Sequence, residues 1–245
     1  MSTTFALFRR ELGVYFVSPL AYIILTALML IFGAFFWIGT EGAARMNVPF
    51  SYSEVLYLIA YLMAVIAPIV TMRLIAEEKS RGTIESLMTA PVSELQVVLA
   101  KYGATLAFML FLLLPTAAHA ILVSKYGSFD VSEAISGYLG VFLTSAALLA
   151  IGLFVSSLCS SQVTAGVISF VVICLFLMSA AFISEIPDTS LGNAAKSVLR
   201  VLDPYASMYD FKRGIVDTRP IVYLLSLVVF FLFLTVRVLE FRRWK

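Results

Sequence analysis

Six long apolar stretches constrain this chain more than any other feature. They are Leu20–Gly39, Val55–Met72, Tyr102–Val123, Tyr138–Leu158, Val163–Ile183 and Ile221–Val236, with few or no charges among them. A helix of about 20 such residues crosses a bilayer, and a helix satisfies all its backbone polar groups without water. The whole composition follows suit: 61% of the 245 residues are hydrophobic and 13% are charged, about half the charged share of a soluble domain. The reading is therefore an all-α membrane protein with one transmembrane domain over residues 1–245 and no separate soluble domain. The last stretch is the shortest, and snorkelling of Arg237 lets it extend toward Leu239. Pro68 and Pro115 fall inside the second and third stretches, where each should bend its helix. Ser145, Gly152 and Ser156 give the fourth a face of small residues for close helix packing.

Residues 1–17 precede the first stretch. Phe5, Phe8, Leu12 and Tyr15/Phe16 recur at helical spacing, while Arg9, Arg10 and Glu11 lie off that stripe. This predicts an amphipathic helix in the membrane interface, with its arginines toward lipid phosphates. Its apolar neighbour is longer than a signal core, so it should stay as an anchor. Ser18-Pro19 then restarts the chain, serine as N-cap and proline at the first helical position.

The most charged segment lies between the second and third stretches and contains Glu77, Glu78, Lys79, Arg81 and Glu85. Gly82 can end an incoming helix in the left-handed region. Thr83 can cap a new helix, with Glu85 at the positive end of its dipole. Pro91 disfavours helix at Ala90 and closes that helix after about two turns. Ser93 and Gln96 form a capping box for the next one. The product is a short helix on a tight elbow just outside the bilayer, a geometry suited to a lever pushed by a soluble partner.

Six spans put both termini on one side. With the termini inside, ten of the 17 Lys and Arg residues fall on the inner side. Five of the other seven (Lys196, Arg200, Lys212, Arg213 and Arg219) sit in the long segment 184–220, which counts less in the positive-inside rule. The rule favours cytoplasmic termini and a cytoplasmic elbow. Within 184–220, Ala195, Val198, Leu199 and Leu202 repeat at helical spacing until Asp203-Pro204. This predicts a short amphipathic helix dipping into the outer interface before the last span.

The chain carries little chemistry of its own. It has no G-x-x-x-x-G-K-[ST] loop to cradle phosphates. One histidine and two separated cysteines, Cys159 and Cys174, offer no metal site. No arrangement for nucleophilic catalysis is legible, so the chain reads as non-enzymatic with no cofactor of its own. A net charge of +2 and the lack of a basic stripe argue against nucleic acid. His119 is the one titratable group deep in the apolar runs, and we read it as a packed or water-facing residue. An ion-coupled carrier needs more buried charge than that and the broken, repeated helices this chain lacks. An energy source must therefore act from outside.

The pattern Glu78-Lys79…Gly82-Thr83-x-Glu85-x-Leu87…Pro91-Val92-Ser93 resembles the loop between the second and third membrane helices of ABC-2 type permeases, the membrane subunits of a class of ATP-binding-cassette exporters. Arg10-Glu11-Leu12…Ser18-Pro19-Leu20-Ala21-Tyr22 resembles their opening segment. Phe211-x-Arg213-Gly214-Ile215-Val216-Asp217…Tyr223 is similar to the closing pattern of gliding-motility-type permeases. The broad resemblance covers nearly the whole chain. It implies a homodimer or heterodimer of six-helix permease chains in the inner membrane, worked by a separate ABC ATPase that holds ATP and Mg. In the family this loop is the coupling helix. Glu77, Glu78 and Glu85 would then offer carboxylates to the ATPase and Arg81 a bidentate donor. Leu87 and Met88 would be the apolar anchor, while Gly82, Thr83 and Pro91 set the angles. The second reading is an energy-transmission or scaffold subunit of an envelope or gliding machine that passes no solute. The substrate is not legible in the sequence.

Overall fold

The computed structural model describes residues 3–47, 52–83, 92–126, 130–185 and 204–243, and every regular element among them is an α-helix. In chain order these are α1 (Thr3–Val17), α2 (Pro19–Met46), α3 (Tyr52–Thr71), α4 (Ala76–Ser80), α5 (Glu94–Leu113), α6 (Thr116–Tyr126), α7 (Val131–Leu158), α8 (Gln162–Glu185), α9 (Ala206–Lys212) and α10 (Thr218–Arg243). Five stretches are long and apolar enough to cross a membrane: Pro19–Met46, Tyr52–Ser80, Glu94–Ser124, Val131–Leu158 and Thr218–Phe241. The apolar part of α8 with described side chains is shorter, Gln162–Met178.

Side-chain contacts set the running directions. Tyr52 at the start of α3 meets Tyr138 near the start of α7, and Thr71 at its end meets Gly152 near the end of α7. Gly214, just before α10, lies against Ser132 and Glu133, and Phe231 of α10 packs on Phe154. Helices α3, α7 and α10 therefore run one way. Helices α2, α5 and α8 run back, and α1 joins them at the end of the bundle where α3 and α7 finish. We refer to this as the α1 end.

Helix α7 is the axis. Leu148, Ile151 and Leu153 have no exposed surface, and neighbours cover most of its length. Its small residues allow that cover. A Cβ on Gly152 would lie 2.2 Å from Thr71 Oγ1, and one on Gly140 would lie 2.8 Å from the Phe211 ring. Ser145 and Ser156 are wholly buried on the same helix. Lipid is as apolar as leucine, so such close approach supplies dispersion contact where the hydrophobic effect cannot. The outward sides of α2 and α10 are apolar and uncovered: Trp37 is 70% exposed and Phe230 54%. In a membrane protein that surface faces lipid or another membrane chain.

The two internal prolines behave differently. Pro68 stays inside α3. The helix gives way only after Thr71, to turns over 72–75. Pro115 breaks the apolar stretch into α5 and α6, and Thr116 closes the gap by donating its hydroxyl to Leu113 O at 2.7 Å. Tyr52 OH donates to Thr116 O at 2.9 Å, and Tyr138 OH lies 2.9 Å from Thr116 Oγ1. The Leu113 carbonyl, whose usual amide partner on Ala117 bonds Leu114 O instead, thus takes the Thr116 hydroxyl, and Tyr52 and Tyr138 hold Thr116 in place from α3 and α7. Helix α2 runs past the expected stop at Gly39, carried by an exposed Glu41–Arg45 pair at 2.6 Å. It ends at Asn47 with φ 53°.

The amphipathic pattern over residues 195–202 lies outside the described residues. Among the described residues the helix before α10 is α9, which begins two residues after Pro204. Its apolar side is buried through Tyr205, Met208 and Phe211. Tyr205 OH donates to Ala60 O at 3.2 Å, and Ala60 lies roughly 12 Å along α3 from Tyr52 at 1.5 Å per residue. Lys212 then pairs with Glu54 at 2.5 Å, near the start of α3. The segment thus enters the bundle and climbs back out before Gly214, at φ 77°, turns it into α10.

Candidate functional site

The chemistry-bearing residues converge at the α1 end, around α4. This helix has five residues and cannot hold itself. It is clasped to the C-terminus of α7 from both sides. Ser156 Oγ accepts from the Ile75 and Ala76 amides at 3.2 and 3.1 Å and donates to Met72 O at 3.4 Å. It thereby caps the start of α4 from another helix. In return Lys79 Nζ donates to Ser157 O at the end of α7, a cation on orphan carbonyls at the negative end of a helix. Ser156→Ala should leave two buried amides unsatisfied and destabilise the protein by about 1–3 kcal/mol. Thermal unfolding of the detergent-solubilised chain would measure this, and an unchanged midpoint would contradict it.

Helix α4 ends as the sequence implies. Gly82 adopts φ 70°. The Thr83 amide bonds Glu78 O at 3.0 Å and the Gly82 amide bonds Lys79 O at 3.2 Å, which is the Schellman arrangement. Thr83 also turns its hydroxyl back to Glu78 O at 3.3 Å. The predicted short helix, with Glu85, Leu87, Met88 and Pro91, lies outside the described residues. Beyond it the capping box forms: the Ser93 amide bonds Gln96 Oε1 at 3.1 Å, and the Gln96 amide bonds Ser93 Oγ at 3.3 Å. Ser18 takes the N-cap position before Pro19 but makes no capping bond. Its hydroxyl accepts a long 3.5 Å contact from Arg73 instead.

Between these anchors sits a charge cluster that the sequence reading missed. Lys101 of α5 has a side chain only 3% exposed. Its Nζ donates to Glu78 Oε1 of α4 at 2.7 Å and lies 3.2 Å from Glu11 Oε2 of α1. Arg10 closes the ring, 2.6 Å from Glu11 and 3.6 Å from Glu78. The hydrogen bond to Glu11 holds the Arg10 guanidinium above its ordinary value, with burial working against it. Two cations and two carboxylates thus join three helices with no net charge. A buried cation needs such partners, because desolvating it alone is costly. The available signal was a lone lysine at the very start of an apolar stretch, seven residues after an acidic N1 position.

The predicted residues divide accordingly. Glu78 is largely buried and turned to Lys101. Half-buried Glu77 and exposed Arg81 form an i,i+4 pair at 2.6 Å. Arg9 and Arg10 are exposed, as the amphipathic pattern requires. Glu11 departs from it: its side chain is 13% exposed and belongs to the packed face of α1, because Lys101 offers it a partner there. Tyr15 on the same face stacks on Phe108 at 4.8 Å and hydrogen-bonds Thr105 and Val70 O. Burial pushes its phenol well above the ordinary value, so it stays a neutral donor. His119 lies near the other end, edge-on to Phe32 at 4.9 Å and Phe36 at 5.1 Å. Its Nδ1 is buried with no hydrogen-bond partner among the described residues.

Residues 46–238 match the family model described as ABC-2 family transporter protein. No curated protein matches the chain significantly.

Proposed function

The chain belongs to the ABC-2 family of transporter proteins, and from that premise we propose that it is the permease subunit of an ATP-binding-cassette exporter in the inner membrane. It works as a dimer of permease chains, with α8 as the sixth span and both termini cytoplasmic. The ATP and Mg belong to a separate ATPase, which acts on the segment 84–91. One observation carries this reading: both attachments of that segment are capped helix ends and are tied to each other. Gly82 closes α4, Ser93 opens α5, and Glu78–Lys101 joins the two helices directly. A push on the segment therefore moves α3, through α4, and α5 together. Clasped by Ser156 and Lys79, α7 moves with them.

The docking contacts we assign are the Glu77–Arg81 pair, of which Arg81 is exposed, with Glu85, around an apolar anchor of Leu87 and Met88. Glu78 serves as the internal tie. Reversing Arg81 and Glu85 together should abolish partner-stimulated ATP hydrolysis while the spans stay folded. The Glu77–Arg81 pair, with its guanidinium exposed, contributes only about 0.5 kcal/mol to stability, so loss of folding is not the expected reason. Unchanged stimulation in that double variant rejects the docking role. The gliding-machine alternative shares the lever and differs only in whether a solute crosses.

A further inference from the structure

A cleft of about 560 Å³ opens beside the charge cluster, within the roughly 300–1,000 Å³ range of ligand pockets. Val14 of α1, Leu20 and Ile24 of α2 and Ile69 of α3 line its apolar walls, and Phe108 of α5 also faces it. Its charged residues mostly pair off: Arg81 with Glu77, and Lys101 and Arg10 with Glu11 and Glu78. Arg73 is left over. It lines the cleft, is exposed, and among the described residues has only the 3.5 Å contact to Ser18 and no carboxylate within ion-pair distance. Among the described residues, four cations therefore face three carboxylates in this cleft.

We infer that the cleft binds an anionic phospholipid, its phosphate on Arg73 and the upper part of its acyl chains between α1 and α2. The cleft is amphipathic, as such a lipid is. Among the described residues one guanidinium lacks a carboxylate, which suits a phosphate, and the same cleft has aliphatic walls. The cleft also adjoins lipid-facing surface, since Tyr22 and Ile23 on α2 are 54% and 63% exposed. An occupant drawn from the bilayer keeps its tails in lipid while its head reaches Arg73, as basic pockets between membrane helices do for anionic head groups. Because α1, α2, α3 and α5 all line the cleft, the lipid would brace the α1 end. This inference needs no ATPase and stands apart from the coupling reading.

The test is native mass spectrometry of the full chain in detergent with equal phosphatidylglycerol and phosphatidylcholine. Both head groups carry a phosphate, but the choline cation of phosphatidylcholine is repelled by Arg73 and cancels its net charge, which predicts retention of phosphatidylglycerol over phosphatidylcholine by about tenfold. Arg73→Gln should bring that preference close to one, and Arg73→Lys should restore most of it. Val14→Trp, which fills the wall, should lower retention of both lipids. Circular dichroism confirms that each variant is folded, which exposed Arg73 and Val14 permit. Equal retention of the two lipids by the natural chain, or a preference that survives Arg73→Gln, overturns the inference. So does inorganic phosphate that displaces the lipid while Val14→Trp has no effect, since that describes a soluble-anion site.

Discussion

Lys101→Met should be the most damaging single substitution at the α1 end. It removes the cation that holds Glu78 at 2.7 Å and Glu11 at 3.2 Å, leaving two largely buried carboxylates with only Arg10 nearby. Breaking a buried ion pair by deleting one partner costs about 3–5 kcal/mol. The methionine keeps the volume, so the loss is electrostatic and not a cavity effect. Two readouts should change together. Unfolding of the solubilised chain should shift to lower denaturant, and partner-stimulated ATP hydrolysis should fall even where the protein stays folded, because α4 and α5 no longer move as one. Adding Glu78→Gln should recover part of the stability, since it removes one stranded charge, but not the coupling. A single variant as stable as the natural chain would show that the cluster is solvated and does not tie the helices.

Gly152→Ala is the second. The new Cβ would sit 2.2 Å from Thr71 Oγ1 and 2.9 Å from Thr71 Cβ. Real atoms do not approach so closely, so α3 and α7 must separate at the seam that leads into the Met72–Ile75 turns. Overpacking of a well-filled core costs about 1–3 kcal/mol. The neighbouring Ser156 bonds depend on the same spacing, which places this variant at the upper end. Thr71→Ala removes the worst contact and sacrifices only the hydroxyl's 2.7 Å bond to Ala67 O. The double variant should therefore be more stable than Gly152→Ala alone, a coupling that independent sites would not show. Additive losses would mean that the helices part freely there.

Much of this architecture was legible because bilayer length and capping chemistry are local. The apolar stretches, the Gly82 turn, the Ser93–Gln96 box and the start of α2 at Pro19 all follow from a few neighbouring residues. What escaped was set by partners distant in the chain. Glu11 reads as polar-face until Lys101, ninety residues later, is known to lie beside it. Lys101 reads as one more inside-positive charge until its burial is seen. Pro115 reads as a bend, and the helical path is interrupted there for two residues within one long apolar stretch, but nothing local shows that Tyr52 and Tyr138 hold Thr116 at the break. Helix α9 was hidden for a related reason. Its seven residues are too short for periodicity to stand out, and it is buried only because Gly140 leaves room for Phe211. The small-residue face of α7 was visible, but nothing local shows that α7 is surrounded.

The most direct test of the account is the side of the membrane on which the segment between α4 and α5 lies. Met88→Cys, in a chain with Cys159 and Cys174 replaced by serine, gives one thiol for a membrane-impermeant maleimide. The account predicts labelling in inside-out vesicles, none in intact cells, and protection when the partner ATPase is co-expressed. Labelling of Met88→Cys in intact cells would contradict it outright.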